Sequence, residues 1–257
     1  MSTLSLAVRD SSTMVRRQLK RLLRYPSMTV QLIATPVVLL LLFVYVLGGT
    51  LGAGLGGGRD TYVDYVVPGI LLMAGATAAT GTAVMVATDM TEGIVARFRT
   101  MRISRASVLT GHVVGSVIQQ LLGMAVIIGV ALAIGFGPNA TAVEWLAAAA
   151  LLTLFVVAVT WLSVALGLKS PTPEAASNAP MPLILLPFLG SGFVPTDSMP
   201  TAVRWFAEYQ PFTPIMETVR GLLLGTPIGG SGAAATAWCG GTALVSYLWA
   251  KRTYDKA

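Results

Sequence analysis

The sequence predicts an all-α integral membrane protein with six transmembrane helices. Three observations predict it. Hydrophobic residues make up 54% of the 257 and charged residues only 11%, whereas a soluble domain carries about 25% charged residues. The apolar residues gather into stretches near the roughly 20 residues that cross a 30 Å hydrocarbon layer. When those stretches are read as spans, 14 of the 17 Lys and Arg residues fall on one side. This composition excludes a soluble globular enzyme and a disordered chain alike. One transmembrane domain is expected over residues 1–257, with a cytoplasmic amphipathic helix at 1–27, six spans within 28–250 and a cytoplasmic tail at 251–257.

The first element precedes the membrane. On a helix turning about 100° per residue, Leu4, Val8, Val15, Leu19, Leu22 and Leu23 share an arc of roughly 100°. Arg9, Arg16, Arg17, Lys20, Arg21 and Arg24 fill the opposite side. Such a helix lies along the interface, its cations toward anionic headgroups or an acidic partner; a plain topological anchor is the alternative. Tyr25-Pro26 ends it.

The spans follow at about 28–47, 62–87, 108–136, 145–168, 179–194 and 233–250. The fifth is short and holds Pro180, Pro182 and Pro187. A cleavable signal is not expected, because the first apolar run is longer than a signal core and ends in a glycine-rich loop without a small-x-small site. Basic residues cluster before span one, between spans two and three, after span four and in the tail, and Arg59, Arg204 and Arg220 stand alone on the other side. The positive-inside rule then puts both termini in the cytoplasm. It also accounts for the net charge of +6 without nucleic acid.

Ionisable residues at mid-bilayer depth mark ion or proton paths. Here Asp64 opens span two, Asp89 closes it and Glu144 precedes span four, and the centres of spans one to four and six hold none. This weighs against an ion-coupled carrier acting alone, although the proline break in span five keeps that reading open. The spans carry weak polar groups instead: Thr77, Thr80 and Thr82 in the second, Gln119 and Gln120 in the third, Thr160 and Ser163 in the fourth. Thr77, Thr80, Gln119, Gln120 and Thr160 are the candidates for a pathway serving a large, mostly apolar substrate. The alternative is plain contact between helices.

Catalytic and metal residues are not expected. His112 and Cys239 are single, so a disulfide framework or a His/Cys metal site has no partners to draw on. A phosphate-binding loop needs Gly-Lys before Ser or Thr, and the four lysines follow Leu19, Leu168, Ala250 and Asp255. No cofactor is expected on this chain; if ATP and magnesium drive it, they sit on another subunit.

The loop at 89–105 carries the partner signal. Glu92 lies near the start of a short helix and the arginines near its end, as the helix dipole favours. Ile94, Phe98 and Met101, spaced i, i+4, i+7, give it an apolar face. A solvated positive loop needs no such face, whereas a helix docking in a groove on a soluble partner does.

At this loop the sequence resembles the membrane subunits of type-2 ABC exporters, especially the daunorubicin/doxorubicin-resistance branch. The resemblance runs along nearly the whole chain: Pro36 with Leu39-Leu-Leu-Leu-Phe-Val-Tyr45, Val67-Pro-Gly-Ile70, Asp89 with Gly93-Ile94 and Arg97-Phe-Arg99, then Gly192-Phe-Val-Pro-Thr-Asp-Ser-Met-Pro200, Phe206-Ala-Glu-Tyr-Gln-Pro-Phe-Thr213 and Glu217-Thr-Val-Arg-Gly-Leu-Leu-Leu-Gly225. Arg102 departs from a frequent proline, and Gln210 from a frequent asparagine.

The resemblance implies that 89–105 is a coupling helix seated on an ATP-binding subunit, through Asp89, Glu92, Gly93, Ile94, Arg97, Phe98, Arg99 and Arg102. It implies short re-entrant helices over 203–224 at the outer face, and an assembly of two permease chains, identical or homologous, with two ATPase chains in the cell membrane. Export of an antibiotic or drug-like amphipathic compound follows; export of an envelope lipid or glycolipid is the alternative. An ion-driven carrier and a scaffold that recruits a soluble protein are the readings from other classes.

Overall fold

A computed structural model describes residues 26–92 and 105–256. The amphipathic segment ending at residue 24 and residues 93–104 of the loop lie outside the described residues. The described chain is helical almost throughout. Helix α1 (Pro26–Leu42) begins at the proline, whose missing amide costs nothing at a helix start. It continues through a π-helical turn (Phe43–Leu47) into α2 (Gly48–Gly54).

Helix α3 (Arg59–Thr91) is 33 residues long, about 50 Å, and is the centre of the molecule. It touches α1, α2, α4 (Arg105–Ala133), α5 (Ala142–Lys169) and the later helices at Pro173–Asn178, Met181–Leu185 and Phe212–Leu224. Its most apolar stretch is 67% buried, against 22% for the 33–54 helix. Both these helices, together with Val113–Ala133 and Ala142–Lys169, are long and apolar enough to cross a membrane. Thr141 and Glu144 cap α5 reciprocally: Thr141 N–H donates to Glu144 Oε2 at 2.7 Å, and Glu144 N–H to Thr141 Oγ1 at 3.4 Å.

The proline-rich fifth stretch is not one helix. Helix α6 (Pro173–Asn178) ends just before it, and the stretch itself holds α7 (Met181–Leu185) and then turns through 186–193. Prolines 180, 182 and 187 each withhold an amide from a helical ladder. Ala176 packs on Ala83 and Ala87, while Gly192 lies against Gly69. Residues 176–192 therefore run beside α3 in the opposite direction, over about 24 Å at helical rise.

Two short helices, α8 (Thr201–Tyr209) and α9 (Phe212–Leu224), follow a 3-10 turn at Thr196–Ser198. They agree with the expected break inside 203–224. Pro211 sits at the break, and Pro214 lies in the first turn of α9, where helix amides have no internal acceptor. Gly225 closes α9 at φ 69°, a left-handed conformation natural to glycine. Helix α10 (Ser231–Lys256) packs most extensively on α5.

Candidate functional site

Two regions gather polar side chains. The first lies within the bundle. Gln120 on α4 donates through Nε2 to Thr160 Oγ1 on α5 at 3.0 Å, with both residues buried. One turn earlier on α4, Ser116 accepts a hydrogen bond from Thr82 of α3 at 3.2 Å. Two neutral contacts thus tie α4 to both neighbours. Gln120 Oε1 and Thr80 Oγ1 are buried without partners. Thr77 donates to the Met73 carbonyl of its own helix at 2.9 Å, and Gln119 is half-buried. Of the five pathway candidates, the structure brings Gln120 and Thr160 together.

The second region is at the end of the bundle that holds Arg59. There the irregular backbone of 186–193 is held by side chains from other elements. Gln210 donates through Nε2 to the Leu186 carbonyl at 3.2 Å. Ser191 N–H donates to Thr213 Oγ1 at 3.4 Å, and Thr213 in turn donates to the Ala207 carbonyl at 2.5 Å. Tyr62 OH donates to the Phe193 carbonyl at 3.2 Å. Arg220 donates through Nη2 to the Ser191 carbonyl at 2.6 Å, and through Nε and Nη2 to the Tyr65 carbonyl at 3.3 and 3.1 Å. Its guanidinium carbon lies 3.9 Å from the centre of the Tyr65 ring, a cation–π contact.

Sequence favours this packing locally. Pro68 contributes no amide to the α3 ladder and so leaves the Asp64 carbonyl without its helical donor, and Arg220 reaches the next carbonyl, that of Tyr65. A methyl group at Gly69 would meet the Gly192 carbonyl oxygen at 2.5 Å, and one at Gly192 the Pro187 carbonyl oxygen at 2.6 Å. Only glycine at both positions lets the two backbones touch. Phe43 of the π turn joins from α1: its ring centre is 4.5 Å from Phe193, which stacks on Phe188 at 4.5 Å.

Outside this cap, the exposed face of α8 holds Arg204 between Glu208 (2.7 Å) and Asp197 (2.6 Å). The Glu208 hydrogen bond, with the charge of Asp197, raises the guanidinium pKa above its usual range. A cavity of about 400 Å³ opens between α8, α9 and α10 beside Glu217 and Trp238.

At the opposite end, Asp89 is buried in the last turn of α3 and Glu92 is exposed just past it, its amide on the Thr88 carbonyl at 2.9 Å. Gly93, Ile94, Arg97, Phe98, Arg99 and Arg102 lie outside the described residues, as do Arg16, Arg17, Lys20, Arg21 and Arg24. Lys169 sits over the Trp249 ring at 5.9 Å. Next to it the Thr172 hydroxyl caps α6 (Ala175 N–H at 3.2 Å). The backbone amide of Glu174 and that same hydroxyl hold the Glu174 carboxyl below its usual range. Among the described residues, no three His, Cys, Asp or Glu side chains converge to hold a metal.

Sequence reasoning did not select Ser191, Gln210, Thr213 or Arg220. The available signal was an arginine three residues after Glu217, within the apolar stretch Phe212–Leu224. Its partners, at 65 and 191, are too distant in sequence for spacing to reveal.

Comparison with known proteins fits this architecture. Residues 10–224 match the family described as ABC-2 type transporter. The chain is 25% identical over 222 residues to the daunorubicin resistance ABC transporter permease protein DrrB1 of Streptomyces coeruleorubidus, covering 86% of this chain and 77% of that protein. It is 23% identical over 210 residues to the probable doxorubicin resistance ABC transporter permease protein DrrC of Mycobacterium tuberculosis, covering 81% and 76%. A membrane-spanning helical bundle, matched over most of its length to one transporter family, identifies the chain as a type-2 ABC permease, a member of the ABC-2 type transporter family.

Proposed function

We propose that this chain is the membrane half of an ATP-driven exporter, moving a hydrophobic or amphipathic, drug-like compound outward on ATP hydrolysed by a separate subunit. The observation that carries this reading is the neutral interior of an apolar bundle. Among the described residues the spans place hydroxyls and amides between helices, as at Gln120 and Thr160, while Asp60, Asp64, Asp89, Glu144 and Lys169 lie near helix ends. A bundle without a central charge suits an apolar cargo better than an ion. The names of the drug-resistance relatives point the same way.

In this reading the chain crosses the cell membrane six times. Residues 176–192 are the fifth crossing and α10 the sixth, and both termini are cytoplasmic. Helices α8 and α9 are the re-entrant pair at the outer face. The 89–105 helix docks on the ATPase, flanked by the cationic N-terminal helix. Exposed Val38, Leu42, Tyr45 and Val46 of the first crossing and Met181, Leu185, Phe188 and Leu189 of the fifth offer an apolar wall to a second permease chain. Thr77, Thr80 and Gln119 are the polar groups nearest to serving the cargo; Gln120 and Thr160 serve it only by exchanging their mutual bond. ATP-driven closure of the partner shifts the chain between inward- and outward-open states according to its differential affinity for them.

The test is co-reconstitution of the chain with a neighbouring ATP-binding subunit in vesicles. ATP-dependent efflux of a fluorescent drug is expected, together with at least a fivefold loss of cargo-stimulated ATP hydrolysis in Phe98→Ala/Arg99→Ala. Unchanged assembly and stimulation in that variant removes the docking role. A change in leaflet lipid composition without drug efflux makes the cargo an envelope lipid.

A further inference from the structure

We infer that Arg220 is a positioning residue for transport: it clamps the irregular segment 186–193 onto α3, and opening of the Arg59 end of the bundle requires that clamp to be exchanged. The inference rests on the permease reading above and adds to it a named moving part.

The segment differs from every other crossing element in how its backbone is satisfied. Helices satisfy their own amides and carbonyls, so a lost side chain leaves them intact. Residues 186–193 keep local turn bonds at the Phe188 and Leu189 amides, both to the Leu185 carbonyl, and beyond these rely on side chains of distant elements, with Gln210 on the Leu186 carbonyl, Thr213 on the Ser191 amide and Tyr62 on the Phe193 carbonyl. In an apolar surrounding a bare backbone group is costly, so irregular backbone persists only where protein or a wet cavity satisfies it. Each of those three side chains makes one such contact. Thr213 carries the segment on to the Ala207 carbonyl of α8, whereas Arg220 bonds the Ser191 carbonyl and the Tyr65 carbonyl of α3 with one planar fork while stacking on the Tyr65 ring. Among the described residues, release of that fork leaves the single Tyr62 bond to the Phe193 carbonyl as the remaining hydrogen bond from α3 to residues 186–193, so the two can part without unwinding any helix.

Two further observations favour a moving part over a fixed brace. The contact beneath the clamp is glycine on glycine, Gly69 against Gly192, so no side chains interdigitate at that point, and the neighbouring side chain that separation must slide is Phe193, packed on Phe43. The Ser191 hydroxyl, 3% exposed, is buried without a hydrogen-bond partner in this arrangement. A buried hydroxyl left bare is explained if the segment has a second position in which it is satisfied.

The bare hydroxyl also provides the probe, since Ser191→Cys breaks no hydrogen bond of that side chain. Native Cys239 is buried in α10 and reports global loosening. The full-length chain in lipid nanodiscs is labelled with a membrane-impermeant maleimide, without nucleotide, and each site is read by mass spectrometry. Cysteine at 191 is expected to label slowly in the parent, at least tenfold faster with Arg220→Gln, and at an intermediate rate with Arg220→Lys, which keeps the charge and loses the fork. Cys239 stays unreactive in all three. Equal rates at 191 in the three proteins, or Cys239 labelling that rises in step, overturns the inference. With the ATP-binding subunit present, Arg220→Gln is expected to lower ATP-driven efflux at least fivefold while basal ATP hydrolysis stays within twofold, and Arg220→Lys to recover part of the efflux. Efflux unchanged in Arg220→Gln also overturns the inference. A parent complex that exports nothing sinks the exporter reading instead, since the labelling is measured without nucleotide.

Discussion

The middle of the bundle and its Arg59 end use hydrogen bonds for different purposes. In the middle, Thr82–Ser116 and Gln120–Thr160 join side chain to side chain between helices that already satisfy their own backbones. At the Arg59 end, Tyr62, Gln210, Thr213 and Arg220 satisfy the backbone itself. Contacts of the first kind within membranes average about 0.6 kcal/mol. Those of the second kind stand against the cost of an unsatisfied backbone group, which reaches several kcal/mol in lipid. The same residue types therefore carry very different weight according to what they bond. The middle is expected to tolerate substitution better than the end.

Glycine replacements along α3 test this contrast most severely. Gly69→Val is expected to lower the melting temperature and the yield of monodisperse protein most, because its side chain overlaps the Gly192 backbone and denies the segment its seat on α3. Gly81→Ala, in the same helix with open space around it, is expected to leave the melting temperature unchanged or raise it slightly, since alanine favours helix by about 0.5–1 kcal/mol. Equal behaviour of the two variants breaks the comparison.

Thr213→Val comes next. It removes one hydroxyl that donates to the Ala207 carbonyl and accepts from Ser191 N–H and Gln210 Nε2. Its expected cost is about 2–3 kcal/mol, read by thermal unfolding in lipid. Thr160→Val is milder, about 1 kcal/mol, because Gln120 then keeps neither amide partner. Gln120→Met is milder still, since it also removes the acceptor that is already bare. The double variant is expected to be no worse than Thr160→Val alone, and a full sum of the two losses contradicts the pairing.

The sequence revealed the fold where one physical signal decides. Hydropathy placed spans at about 28–47, 62–87, 108–136 and 145–168, which fall on the helices at 33–54, Arg59–Thr91, Val113–Ala133 and Ala142–Lys169, because burial in lipid is a property of each stretch alone. Proline located the breaks near residues 180 and 211 for the same local reason. The site was less legible. Gln120 and Thr160 stood out as polar residues in apolar runs, but their pairing depends on how α4 meets α5. Arg220 read as a lone charge outside the membrane, and Gly69 as one glycine among 27. Their importance arises only when residues 65, 69, 191, 192 and 220 come together, and no periodicity encodes that meeting.

One measurement bears most directly on the account as a whole: drug efflux from vesicles holding this chain with and without the proposed ATP-binding subunit, at controlled proton gradient. Efflux that needs both proteins and ATP, and persists when the gradient is collapsed, is the predicted result. Efflux by the chain alone that disappears with the gradient would contradict it.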